Sequence, residues 1–391
     1  MKNNYRKLGD YIQPVDIRNS DLQISHLLGL SIEKCFIESI ANTIGTDFRP
    51  YKIVKKGQFA YGPVTSRNGD KITIALLKEA DVCIISSSYS VFEITDTTKL
   101  LPEYLMLWFS RPEFDRYARY KSHGSVREIF DWDEMCRVEL PVPDIKEQQK
   151  IVDTYNAITK RIQIKKKINE DILKNGIMIV QNCVGNAIYS NQTDSEIEEI
   201  KNNLPENQKL MTIKEFCRNT KSGSTPSRTE NVYWKNGNIP WLKSGEVHNN
   251  ITVETEEYIT EKATEETSAK ILPKNTVLMA MYGVTAGEVG YLAIEATTNQ
   301  AICGMICNSI EDAAYLYFAL LQNQNEISSL ANGGAQNNLS KELIENLKLL
   351  VPENISKLKL NVLIRNLILN TKELQKLNQL KQLIISRISG M

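Results

Sequence analysis

The stretch from about Asp144 to Gly185 constrains this chain most, because it is a long uninterrupted helical pattern near the middle of 391 residues. Ile151, Tyr155, Ile158 and Ile162 recur at spacings of four, three and four, and Ile168 and Ile172 follow after Lys165, Lys166 and Lys167. Such spacing lays apolar groups along one stripe of a helix, and a stripe needs a partner to cover it. The chain closes on a matching pattern: Leu360, Leu363, Leu367, Leu374, Leu377, Ile384 and Ile388 keep a four-three register broken at Asn370 and Lys381. The two patterns predict long helices packed on each other, a rod separating two similar domains.

Composition adds limits. With 42% apolar and 24% charged residues the chain is ordinary globular protein. No run of eighteen apolar residues occurs, and the opening MKNNYRKLGDYIQ lacks a secretory apolar segment, so a cytoplasmic protein without a membrane span is expected. Seven cysteines form no Cys-x-x-Cys pair, and Cys303 and Cys307, four apart in an apolar run, read as buried thiols. Forty-seven basic side chains balance forty-seven acidic ones, so no global charge points at nucleic acid. Charge is nevertheless segregated. Residues 144–185 hold eight Lys/Arg against five Asp/Glu, 353–389 seven against two, and the polar stretch 186–209 two against five.

The halves of the chain repeat each other in order. KIVKKGQFAYG at 52–62 matches KILPKNTVLMAMYG at 270–283; Tyr104 to Trp108 answers Tyr315 to Ala319; Gly124-Ser125 answers Gly334-Ala335; Leu140 to Pro143 answers Leu349 to Pro352. The separations drift from 218 through 211 to 209, as a duplication with altered loops requires. Strands are predicted at Val82–Ser86, Val91–Ile94, Val277–Met281 and Ala301–Cys307, and single helices at Leu101–Tyr120 and Ile310–Leu330. The resulting domains are 1–143, a central helix at 144–185, an acidic linker at 186–209 crossing the surface, a second domain at 210–352, and a C-terminal helix at 353–391.

Loop chemistry concentrates in SGSTPSRTENVYWKNGNIPWLKSGEV, from Ser222 to Val247. Small hydroxyl residues, exposed backbone amides and cations interleaved with aromatics are groups that grip phosphate and stack on bases. Lys221, Ser224, Thr225, Arg228, Lys235, Lys243 and Ser244 are the candidates for contact, against a solvated surface as the plainer role for the cations. Trp234 and Trp241 either face bases or fill the domain core. Tyr282, also a candidate for DNA contact, opens a glycine-rich run to Gly290 that reads as a hairpin. The amides of Asn299 and Gln300 either read adenine bidentately in a major groove or cap a turn. In the first half the comparable cations are Arg67 and Arg127, with Lys121 just before the loop of the latter. The acidic stretch Glu254–Glu266 reads as a solvated helix or loop that repels phosphate.

Catalysis finds no support. His26, His123 and His248 fall in no ligand spacing, and no serine or cysteine has a base or elbow motif around it, so no catalytic residue and no metal site is assigned. Gly223 to Ser227 lacks the spacing of a phosphate-binding loop. There is no Asn/Asp-Pro-Pro-Tyr/Phe motif and no glycine-rich AdoMet loop. Asp144, beside Glu147 and Lys150, reads as the cap of the central helix.

Taken together, the tandem domains each followed by a helix, the Ser222–Val247 stretch, TTNQAICG at 297–304 and LPVPDIKEQQKIV at 140–152 resemble the specificity subunits of type I restriction-modification systems. SIEKCFIES, GTDFRPYKIVKKGQFAYGP and LLPEYLMLWFSRPEFDRYA extend the resemblance through the first half, which lacks the GSTP and Pro-Trp signature of the second. The resemblance implies an α+β fold with a pseudo-two-fold internal repeat: two tandem mixed α/β target recognition domains, separated by two long antiparallel helices in a coiled coil. It implies double-stranded DNA as ligand, read as a split target, with two methyltransferase subunits and restriction subunits as partners. AdoMet, Mg and ATP then belong to those partners, and this chain carries no cofactor. Pairing is expected through Ile151, Tyr155, Ile158, Ile162 and Ile172 with Leu363, Leu367, Leu374, Leu377 and Ile384. A helix of about 35 residues is about 50 Å long, or roughly 15 base pairs of unread spacer. The alternatives are a self-sufficient restriction enzyme or DNA methyltransferase, and a helical scaffold that binds no DNA.

Overall fold

The computed structural model describes residues 5–39, 44–66, 68–124, 127–190, 192–248, 250–331 and 338–388. The chain divides into two compact units, Met1–Ile162 with Leu377–Met391, and Gln163–Lys376.

In the first unit a four-stranded antiparallel sheet has the order Ile12–Val15, Ser90–Ile94, Phe59–Tyr61, Ile74–Leu76. Its apolar runs are buried on both faces. Phe59, Tyr61, Ile74, Leu76 and Phe92 enter a core with the helix Pro102–Phe109, while Ala60, Ala75 and Val91 enter a second core with Leu28, Leu30 and Val54. Alternate residues pointing to opposite faces explain why these strands read as continuous apolar segments.

The second unit repeats the pattern. Its sheet runs Asn219–Ser222, Ile302–Ile306, Thr276–Ala280, Val289–Leu292, again antiparallel, with Ile251–Thr252 added in parallel. Val277, Met279, Cys303 and Met305 face a core with the helix Ile310–Gln322, and Leu278, Ala280 and Ile302 face one with Leu242, Val247 and Leu272. A further equivalence lies outside the sheets. Tyr104 donates its hydroxyl to the Pro141 carbonyl at 3.0 Å, and Tyr315 donates to the Leu350 carbonyl. Those residues match under the sequence repeat, so the duplication extends to individual hydrogen bonds. The Gly124-Ser125 and Gly334-Ala335 match falls partly outside the described residues.

Three expectations about element boundaries change. Leu101–Tyr120 is two helices, Pro102–Phe109 and Pro112–Lys121, because Pro112 forces Arg111 into an extended conformation at φ −78° and ψ 137°. Ile310–Leu330 likewise breaks at Asn323, between Ile310–Gln322 and Gln324–Ser329. Residues 186–209 do more than cross a surface: Ile188–Tyr189 pairs with the strand Lys348–Pro352, and Asp194–Asn202 is a helix whose N-terminus is capped by Thr193 and Glu196. The acidic residues are spent on that helix, four of them from Asp194 to Glu199, where Asp194 and Glu196 suit the N-terminal dipole.

The central helix spans Ile145–Val184, 40 residues or about 60 Å, and the C-terminal helix spans Leu360–Arg387, 28 residues or about 42 Å. Asp144 caps the former, accepting from the Lys146 and Glu147 amides at 3.0 and 3.1 Å. Buried Gln148 then ties it to the preceding loops: its amide donates to the Lys99 and Pro143 carbonyls, each at 2.8 Å, and its oxygen accepts from the Leu101 amide at 2.9 Å.

Each unit holds one antiparallel section of the helix pair. In the first, Val152 and Ile388 share the core, Ile151 and Ile384 line one groove, and Lys381 lies 5.0 Å from the Tyr155 ring centroid. In the second, Ile172, Leu363, Ile364 and Leu367 pack in one core, and Lys165 and Asn169 meet Asn370. Ile158 and Ile162 are buried, and Leu374 and Leu377 half-buried. Ile168, expected on the stripe, is 39% exposed. It stands six residues after Ile162, which at about 100° per residue rotates it some 120° off the seam. Lys165 and Asn169 take the seam there. The supposed interruptions Asn370 and Lys381 are therefore seam residues.

Candidate nucleic-acid interface

Between the strands Asn219–Ser222 and Thr276–Ala280 of the second sheet the chain makes an excursion, which returns once to the sheet edge as Ile251–Thr252 and covers the face opposite the helix Ile310–Gln322. Its own small sheet places Ile239–Leu242 between Glu257–Ile259, antiparallel, and Thr297–Thr298, parallel. Gly223 lies so close to Thr298 and Asn299 that a Cβ would meet their backbone oxygens at 2.1 and 2.4 Å, which is why the loop begins with glycine. The Ser224 amide donates to the Thr298 carbonyl at 2.8 Å, and the Asn299 amide to the Leu242 carbonyl at 2.9 Å.

The loop then wraps the two tryptophans. Trp241 donates its indole N–H to the Ser224 carbonyl at 3.0 Å, and Trp234 to the Ser227 carbonyl at 2.9 Å. Their rings meet edge to face at 5.0 Å, and they fill a small core with Ile239, Ile259 and Ala263. The Arg228 guanidinium stacks 3.7 Å from the Trp234 ring centroid and 4.8 Å from that of Trp241. On its other side Arg228 makes a two-pronged ion pair with Glu257. Lys243 reaches the same carboxylate at 3.2 Å and Glu256 at 2.7 Å. The Arg228 hydrogen bond holds the Glu257 carboxyl below the usual carboxylate range, and Glu256 raises the Lys243 ammonium. So the acidic stretch, expected to repel phosphate, neutralises two of the cations read as phosphate contacts. The pairing left no periodic signal, because Arg228 stands on a loop 29 residues before Glu257.

The other expected residues divide into groups. Lys221 is half-buried on the strand Asn219–Ser222, Lys235 is exposed beyond Trp234, and Ser244 opens a short 3-10 turn. The Thr225 hydroxyl donates to the Gln300 side-chain oxygen at 2.6 Å. Asn299 accepts from the Ala301 amide at 3.2 Å, so it caps a turn and its oxygen is occupied. Tyr282 belongs to another loop pair: it bridges Asn338, and the Leu339 amide donates to the Met281 carbonyl at 2.7 Å. The first unit has the matching pair, with Val64 bridging Ile129 and the Thr65 amide donating to the Glu128 carbonyl at 3.0 Å. Exposed Arg127 lies beside this junction, and Lys121 ends the helix that precedes it, 6.0 Å from the Tyr120 ring. Arg67 lies outside the described residues. Among the described residues no group of three or more His, Cys, Asp or Glu could hold a metal ion, and no helix is long and apolar enough to cross a membrane.

One order of four strands is used twice, each copy leading into a long helix; between its first two antiparallel strands the first carries the hairpin Leu28–Leu30 with Phe36–Glu38 and the second the small sheet around Ile239–Leu242, which defines a class of internally duplicated protein with unlike excursions. Within that class, the chain belongs to the type I restriction modification DNA specificity domain family, whose model matches residues 41–174 and 205–382. It is 20% identical over 402 residues to the type I restriction enzyme HindI specificity subunit of Haemophilus influenzae, covering 86% of each chain. It is 21% identical over 297 residues to the MjaIX specificity subunit of Methanocaldococcus jannaschii, covering 74% of this chain and 68% of that one. A crystal structure of a type I system S subunit from M. genitalium shares the fold, with a TM-score of 0.60 at 14% identity over 98% of this chain and 95% of that one.

Proposed function

We propose that this chain is the sequence-reading subunit of a type I restriction-modification complex, and that each unit reads one part of a bipartite double-stranded DNA target. The observation that carries the reading is the order of four strands shared by the two sheets, combined with unlike excursions: one scaffold, two different readers. In this reading the chain itself is non-catalytic and acts in the cytoplasm, where two methyltransferase subunits dock on it and restriction subunits join. AdoMet, Mg and ATP are used by those partners. Exposed apolar side chains on the two long helices, Ile164, Ile168 and Met178 on one and Val362, Leu369 and Leu380 on the other, support docking by partner helices. The test is methylome sequencing of a host carrying this chain with its methyltransferase partner. A two-part motif with an unread spacer is expected, absent when either protein is omitted; methylation by this chain alone overturns the reading.

A further inference from the structure

Sequence-specific contact needs a side chain that is exposed, held in one orientation, and left with an unspent donor or acceptor. Most polar groups around the Gly223–Arg228 loop fail one of these conditions. Arg228 and Lys243 share Glu257, and Lys243 also holds Glu256. The backbone amide and carbonyl of Ser224 are bonded to Thr298 and Trp241. Asn299, whose oxygen accepts from the Ala301 amide, is only half-exposed and fails the first condition. Gln300 meets all three. Its side chain is exposed, and the 2.6 Å bond from the Thr225 hydroxyl occupies its oxygen, which leaves the Nε2 amino group unspent among the described residues.

The support behind this contact is rigid. Thr225 follows Gly223 and Ser224, which are pinned against Thr298 and Asn299, and Trp241 clamps the same loop through its indole N–H. Gln300 follows Asn299, whose amide is bonded to the Leu242 carbonyl. Donor and acceptor of the Thr225–Gln300 bond thus sit on two segments already fixed to each other. A side chain so held gives up little further freedom on binding.

We propose that Gln300, its amide oxygen held by the Thr225 hydroxyl, presents a hydrogen-bond donor to an acceptor-bearing base edge in the part of the target read by the second unit. This rests on the reading of the chain as a DNA-specificity subunit. A lone outward donor suits guanine O6 or N7, adenine N7 or thymine O4 in the major groove. It does not suit the bidentate adenine contact, which needs a donor and an acceptor together, and it opposes the amino groups of cytosine and adenine. Thr225 is a positioning residue for this contact.

The experiment uses the complete complex of this chain with its methyltransferase partner, read by methylome sequencing, for the wild type and for Gln300→Met, Gln300→Glu and Thr225→Val. Gln300→Met keeps length and removes the donor, so one position in one half of the motif becomes degenerate, with discrimination falling roughly fivefold or more, the size of one lost hydrogen bond. Gln300→Glu turns an acceptor outward and shifts that same position toward base pairs presenting an amino group there. Thr225→Val relaxes that position alone. The other half of the motif and the spacer stay unchanged throughout. A methylating complex whose motif is unaltered by both Gln300 variants overturns the inference and leaves the proposed function standing. A wild-type complex that methylates no two-part site overturns the proposed function and this inference with it.

Discussion

Lys165 Nζ donates to Asn370 Oδ1 across 2.8 Å, joining the central and C-terminal helices through a polar contact in a largely apolar seam. Asn370, only 9% exposed, also donates to Asn169 at 3.0 Å, and Lys165 reaches Glu373 at 2.8 Å. Buried polar groups in a helix seam specify register, because a slipped pairing leaves them facing hydrocarbon.

The first prediction concerns this layer. Asn370→Ala leaves Lys165 and Asn169 each short of a partner and is expected to cost about 1–3 kcal/mol. Asn370→Leu is expected to cost less, because it strands the same two partners but fills the volume that alanine leaves empty. Thermal unfolding midpoints of the purified chain check the order; an alanine variant as stable as wild type counts against the layer.

Gly176 supplies the second. A glycine within a helix costs roughly 1 kcal/mol against alanine, so Gly→Ala is ordinarily stabilising there. Here a Cβ would meet the Phe318 ring at 2.2 Å, and Phe318 is fully buried. Gly176→Ala is therefore expected to destabilise, by about 1–3 kcal/mol of overpacking. Gly176→Ala combined with Phe318→Leu should recover part of the loss in the same melting experiment.

In the first unit, Lys34 and Asp115 form a nearly buried ion pair at 2.8 Å, and Asp115 also accepts from the Ile72 amide at 3.1 Å. Burial pulls the Lys34 ammonium below the usual lysine range, with Asp115 opposing it. Asp115→Ala leaves the Ile72 amide without its acceptor and the buried Lys34 charge without a counter-charge, holding only the Phe109 carbonyl, and the expected cost is about 3–5 kcal/mol. Hydrogen exchange should place the loosening at Ile72 and at the strand Phe36–Glu38 nearby in sequence to Lys34; protection unchanged at Ile72 would refute it.

A fourth prediction follows from Glu257. Its carboxyl is held low by Arg228, so the folded state binds its proton less readily than the unfolded chain. The stabilisation is present above the ordinary carboxylate range and is lost as pH falls through the depressed Glu257 value. Tryptophan fluorescence from the Trp234–Trp241 pair should report an acid transition below that of an ordinary glutamate. Glu257→Gln should abolish that transition. Arg228→Lys, which keeps the charge but loses the planar stack, should shift the emission already at neutral pH.

Much of this fold was legible because the signals were periodic. Four-three spacing marked both long helices, and the common order of Tyr104 with Tyr315 and Pro143 with Pro352 marked the duplication before any contact was known. What stayed hidden was pairing across the chain. Asn370 looked like a break because an isolated polar residue in a heptad pattern carries no sign of the Lys165 that satisfies it 205 residues away. Glu257 looked solvated because its partner Arg228 lies 29 residues earlier, on a loop rather than on a recognisable period. Pro112 was the exception: the break it makes was written in the sequence and was overridden by the apolar run around it.

The tying of Arg228 and Lys243 to Glu256 and Glu257 bears on how this surface meets a polyanion. Binding to a duplex is driven largely by release of condensed counterions, one for each phosphate that a free cation neutralises. Two cations already satisfied within the protein release none. On the proposed function, the Arg228 loop would then be nearly blind to ionic strength, and the salt dependence of the second unit would fall on side chains such as Lys221 and Lys235. On the proposed function, such a loop would serve to discriminate bases rather than to hold on.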